Sequence, residues 1–214
     1  MSLYKKWQYQ VRAKEQVKVL KETGYDAWYA ENKEDARKIV VHMVPEGASV
    51  AMGGSETLQA MGLLEFFRNG KYHFFDRFKE MPFEERFELY RQGMLADFFI
   101  TSTNAVTKRG ELVNVDSSGN RIAAMLFGPK RVIIVCGANK IVQDIDAGFR
   151  RIREIAPMNA KRNGHAVACA ETGWCIGENC QNEQAICNGA AIIYHGKKVP
   201  GRISIIMVAE ELGF

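Results

Sequence analysis

The 214-residue sequence has no dense run of lysine and arginine interleaved with aromatics, which argues against a nucleic-acid surface. It has no apolar run as long as a membrane span. Its first residues, MSLYKKWQYQVRAKEQ, mix polar and charged types and lack the apolar segment of a secretory signal. A cytoplasmic protein is the expectation. No internal repeat or low-complexity linker breaks the chain, and 25% charged residues is ordinary for a globular protein. Net charge is a modest +4, and 47% hydrophobic residues suffice for one sizeable α/β domain. Five cysteines in a reducing compartment point to thiols or metal ligands rather than disulfides.

What is present centres on residues 48–62, ASVAMGGSETLQAMG. A short apolar run ending at Met52 suits a strand buried on both faces. Gly53 and Gly54 make a turn, Ser55 is an expected N-cap, and Leu58 and Met61 share one helical face. Glycine lets a ligand approach the backbone, and the first N–H groups of a helix have no partner within it. A phosphate or carboxylate could sit there, or the turn could merely need glycine.

Around this unit, residues 4–22 read as a helix with Val11, Val17 and Leu20 in its apolar stripe, closed by Gly24. Residues 25–30 form a strand, and Asn32 caps a helix over 33–43 that stops before Pro45. After a strand at 72–75, Pro82 opens a helix whose Phe83, Phe87 and Tyr90 are read as core packing. Residues 96–101 are a buried strand. Residues 111–116 alternate, 116–120 read as a turn, and 121–127 as the returning arm of a β-hairpin. The most strand-like run is RVIIVC at 131–136, followed by GANK and a helix over 142–155, with Pro157 beyond its end. Strands follow at 191–195 and 202–209. Alternating strands and helices predict an α/β fold with a mainly parallel sheet covered by helices on both faces. Loops Gly53–Ser55, 101–104 and 137–140 each follow a strand, so they should open on the same edge, where such sheets bind ligands. Gly53, Gly54, Ser55, Asn104, Asn120, Arg121 and Lys140 are the candidate ligand contacts, with Lys140 an ammonium placed to meet an anion.

The four cysteines Cys169, Cys175, Cys180 and Cys187 are spaced C-x5-C-x4-C-x6-C. Four thiolates can complete a zinc shell or hold a [4Fe–4S] cluster. Free thiols or a redox pair are the alternatives. Cys136, inside a strand, reads as a small buried residue.

The segments GGSETLQAMG, FGPK and GANKIV, the cysteine segment and the terminal PGRISIIMVAEELGF together resemble the LUD domain family of lactate utilization proteins. The resemblance spans nearly the whole chain. It implies a single domain over 1–214, with an N-terminal helical segment at about 1–23 and a Cys-rich loop at about 165–190. It also implies a Rossmann-like fold of the sugar-phosphate isomerase and CoA-transferase type, and a link to the oxidation of lactate to pyruvate beside iron–sulfur oxidoreductase subunits. Lys108 and Arg109 stand where relatives often carry an acidic residue, which favours an anionic ligand. In the CoA-transferase relatives a glutamate attacks the acyl thioester, and Glu111 is the candidate for that role. The expected partners are a small anionic molecule, iron–sulfur subunits and a second copy of the chain. The functional alternatives are an anion-binding or catalytic domain, a non-catalytic iron–sulfur or zinc-bearing subunit, and a transferase- or isomerase-like enzyme.

Overall fold

The computed structural model describes residues 2–177, 180 and 182–214. In chain order the elements are α1 (Leu3–Glu22), β1 (Asp26–Ala30), α2 (Lys33–Met43), β2 (Ser49–Met52), α3 (Glu56–Ala60), α4 (Leu63–Phe67), β3 (His73–Phe75), α5 (Phe83–Gly93), β4 (Phe98–Thr101), β5 (Ala105–Thr107) and β6 (Leu112–Asp116). They continue with α6 (Asn120–Leu126), β7 (Arg131–Gly137), a 3-10 turn Ala138–Lys140, β8 (Ile141–Val142), α7 (Ile145–Arg162), α8 (Ala168–Thr172), β9 (Gly189–Ile193) and β10 (Ile203–Val208).

Six strands pair in the order β1-β10-β7-β4-β2-β3, every pair parallel. The apolar runs explain why this sheet is buried on both sides. Along β7, Val132, Ile134 and Cys136 join the core beneath α1, while Ile133 and Val135 join the core beneath α2, α3 and α4. In β10, Ile205 and Met207 divide from Ile206 and Val208 in the same way. A strand with both faces covered needs apolar residues at every position, not alternate ones. A second, smaller sheet, β8-β5-β6-β9, packs through Ala105 and Val113 against Ile152 of α7.

Side-chain caps set the starts of α1, α2 and α7. The Asn32 side chain accepts from the Asp35 N–H at 2.9 Å, and Asp144 accepts from Ala147 at 2.8 Å. Four expectations need correction. Val11 is exposed; the buried stripe of α1 is Tyr9, Ala13, Gln16, Val17 and Leu20. The hairpin lies one segment earlier, between β5 and β6, because Gly110 at φ +92° supplies the left-handed residue of its turn. Residues 121–126 are helical, since the Asp116 carboxylate accepts from the Ile122 N–H at 2.8 Å and holds the first turn of α6. Helix α7 runs through Pro157 to Arg162, because Ile152, Ile155, Ala156 and Ala160 keep one apolar face buried across the proline. Packing along that face outweighs a proline cost of about 3 kcal/mol.

Candidate functional site

Strands β7, β4 and β2 are neighbours, so the turns after them open side by side at the carboxyl edge of the sheet. There they meet α5, α6 and α7 around a cavity of about 550 Å³. Gly54, Ser55, Asn104, Asn120, Arg121 and Lys140 all line it. Gly53 lies just behind the wall: a Cβ there would stand 2.7 Å from the Thr101 hydroxyl, whereas one on Gly54 would meet nothing within 4 Å. The close approach of β2 and β4 therefore requires glycine at 53 and leaves the backbone at 54 open. Ser55 occupies the N-cap position of α3 without a side-chain capping bond, and α3 is only five residues long. The positive character of the site thus comes from side chains rather than from a helix end.

Lys140, only 4% exposed, comes from the turn after β7. Its ammonium donates to the Thr57 hydroxyl of α3 at 3.0 Å and to the Ser102 hydroxyl after β4 at 3.1 Å. Among the described residues no carboxylate pairs with it. Burial pushes its pKa down to about 8, and the neighbouring Arg151 and Arg121 push in the same direction.

Arg121 ties the wall together. One guanidinium nitrogen donates to the Ser102 carbonyl at 3.0 Å and the Asn114 amide oxygen at 2.6 Å. The other donates to the Asn104 amide oxygen at 2.8 Å and the Val115 carbonyl at 3.0 Å, and pairs with Asp116 at 2.6 Å. The Asn104 oxygen also accepts from the Val115 N–H. Both side chains face the cavity, yet their polar atoms are largely used on one another.

Several lining residues escaped the sequence reading. Arg77 follows β3, a fourth parallel strand end. Phe83, Arg86 and Tyr90 come from α5, whose aromatic side faces the cavity instead of the core; Phe83 is 65% exposed. Arg162 of α7 also lines it and pairs with Glu56 at 3.2 Å. Of the five cationic side chains in the wall, Arg121 and Arg162 have carboxylate partners. Arg77, Arg86 and Lys140 form no ion pair among the described residues, although Asp116 is near enough to attract Arg77.

Glu111 is not brought to the cavity. It sits in the β5–β6 turn, at the opposite end of the hairpin from Asn104, buried and bonded to the Thr107 hydroxyl and to Arg109 at 3.0 Å. Lys108 and Arg109, on the same turn, do not line the cavity either.

Cys169 lies in α8, Cys175 and Cys180 in the loop after it, and Cys187 just before β9 at the rim of the cavity. Within the expected loop, Glu178, Asn179 and Gln181 lie outside the described residues. All four thiols are free. The protein packed around the Cys187 thiol, and then Cys175, Cys169 and Cys180, push its pKa up to about 11. Burial raises Cys169 in the same sense, with Cys175 and Cys180 adding to it. The Cys175 and Cys180 side chains are thus near enough to oppose the ionisation of Cys169 and Cys187. Among the described residues, however, no three His, Cys, Asp or Glu side chains converge to hold a metal ion. Cys136 is buried in β7, apart from this group.

Comparison with known proteins adds a sequence match and a fold match. The sequence model of the LUD domain matches residues 13–208. The fold is similar to that of a DUF162 family protein from Deinococcus radiodurans, 12% identical, with a TM-score of 0.51 over 95% of this chain and 98% of that one. The eIF2B delta structure from Chaetomium thermophilum is 14% identical and covers 61% of this chain and 51% of its own, with a TM-score of 0.32. No curated protein matches the sequence.

Proposed function

The chain belongs to the LUD domain family, which is linked to lactate utilization, and on that premise we propose that it holds a small carboxylate or phosphate at the strand-end cavity in the service of lactate oxidation to pyruvate. The observation that carries this reading is Lys140. An ammonium buried among hydroxyls, with no carboxylate beside it, is costly to keep charged. An anion entering the cavity supplies the missing counter-charge, with the Ser102 and Thr57 hydroxyls fixing the ammonium from behind and the open backbone at Gly54 nearby. The candidate contacts Ser55 and Asn120 complete the polar lining.

Calorimetric titration with lactate, pyruvate and inorganic phosphate between pH 6 and pH 10 tests this. Because the free-state pKa of Lys140 is about 8, affinity should be highest below that pH. Above it affinity should fall by about tenfold per pH unit, as binding must also take up a proton. The same group has the opposite effect on the unliganded protein. Between about pH 8 and the ordinary lysine range the unfolded chain holds the proton and the folded chain does not, so this group's contribution to stability rises with pH. An affinity that ignores pH, or no heat with any of the three anions, contradicts the proposal.

A second reading rests on the nearness of the Cys175 and Cys180 side chains to Cys169 and Cys187, whose ionisation they oppose. These soft donors suit zinc or a [4Fe–4S] cluster, which would stabilise all four as thiolates and make the chain a partner of iron–sulfur oxidoreductase subunits. As they stand, the described side chains do not converge on a metal, so binding would have to draw the loop inward. Metal and sulfide analysis of protein purified without oxygen decides it. One zinc, or iron with matching sulfide, per chain supports the reading, provided Cys175→Ser lowers the content; metal-free protein that takes up neither zinc nor iron on reconstitution ends it.

A further inference from the structure

The cavity is larger than lactate needs: about 550 Å³ lies in the range of sites that take several times that bulk. Its cationic groups also fall into two sets. Lys140 follows β7; Arg77 follows β3, three strands along the same sheet edge, and Arg86 stands on α5. The Arg77 guanidinium lies 4.4 Å over the Tyr90 ring, which holds its plane, and it stands near enough to the Tyr90 hydroxyl and the Asp116 carboxylate to be attracted by both. Arg86 donates to the Met81 carbonyl at 3.4 Å, and its Nε is buried with no hydrogen-bond partner. Buried N–H groups of charged side chains are almost always paired. Two guanidinium groups near enough to repel, one of them with an orphaned donor and neither in an ion pair among the described residues, since the nearby Asp116 is taken by Arg121, form an arrangement that an anion completes.

Resting on the Lys140 reading, we propose that Arg77 and Arg86 form a second anion subsite that takes a phosphate, so that the ligand class is a phosphorylated carboxylic acid spanning the cavity. The division of labour follows from the donors. A guanidinium presents a planar fork that matches two phosphate oxygens, and two such forks balance a doubly charged phosphate. The compact ammonium of Lys140 suits the single charge of a carboxylate. Tyr90 and the exposed Phe83 shield the carbon skeleton between the two ends.

Titration with 3-phosphoglycerate, lactate and inorganic phosphate tests the subsite in the wild type and in Arg86→Gln, Arg77→Gln and Arg86→Lys. The expected result is that 3-phosphoglycerate binds at least about tenfold more tightly than lactate. Either Gln variant removes that advantage and weakens inorganic phosphate, while lactate affinity stays within about twofold; Arg86→Lys recovers part of the loss. Thermal melting confirms that each variant is folded. If Arg86→Gln fails to fold, Arg77→Gln and Arg86→Lys carry the same comparison. Lactate binding with no gain from the phosphate overturns the subsite and leaves the Lys140 reading standing. Phosphate binding that needs the arginines, with no lactate binding, supports the subsite and removes the Lys140 reading. Equal weakening of all three anions by Arg86→Gln overturns the subsite.

Discussion

Replacing Lys140 with methionine lowers affinity for lactate by about a hundredfold, the loss expected when a buried charge-assisted contact disappears, and leaves the melting temperature unchanged or higher. The two halves of this result belong together. The ammonium is buried without a counter-charge, so the folded protein is strained by it until an anion arrives. Methionine has nearly the same length and packs as an apolar chain, and exchanging a buried ion for a well-packed apolar group is often neutral or stabilising. The hydroxyls left behind keep partners: Thr57 donates to the Leu212 carbonyl at 3.1 Å and Ser102 to the Thr103 carbonyl at 3.4 Å. If Lys140 were merely a tie between α3 and the turn after β4, the variant would melt earlier and bind anions as before. Calorimetry and a thermal melt on the same preparation separate the two cases.

Arg121→Met gives the opposite pattern: a stability loss of about 3–5 kcal/mol, typical of removing one partner from a buried ion pair. Methionine cannot replace the donors to the Ser102 and Val115 carbonyls or to the amide oxygens of Asn104 and Asn114. Among the described residues Asp116 would keep the Ile122 N–H as its one hydrogen-bond donor, with the Arg77 guanidinium near enough to attract it. Lysine at 121 recovers little, because a single ammonium cannot reach carbonyls, amides and carboxylate at once. Urea denaturation with an unchanged slope reads the loss directly. A change below about 1 kcal/mol, the worth of one ordinary hydrogen bond, would mean that Arg121 does not organise the wall.

The parallel sheet and its polar edge were legible because they rest on local signals. RVIIVC and the run in β10 are apolar at successive positions, which suits strands covered on both sides. The turns after β2, β4 and β7 then fall on one edge by geometry alone, and they brought Gly54, Asn104 and Lys140 to a common cavity. What stayed hidden depends on tertiary pairing. Residues 121–127 are apolar at every position after Arg121, so no period separates a strand from a short helix there. The deciding contact is the Asp116 carboxylate on the Ile122 N–H. The aromatic side of α5 looked like core because sequence spacing marks a face but not what lies opposite it. Arg77 and Arg86 resembled ordinary surface arginines, since a missing carboxylate partner shows only once the chain is folded. Glu111 was attractive by analogy, yet the turn at Gly110 carries it to the far end of the hairpin.

The bond between an anion and Lys140 is open to direct observation. A crystal of the protein soaked with selenate near pH 7, measured at the selenium absorption edge, places that anion without assumption. Anomalous density within hydrogen-bonding distance of the Lys140 ammonium, lost in a Lys140→Met crystal, is the expected result. Density confined to surface lysines, with the strand-end cavity empty of selenium, would contradict it.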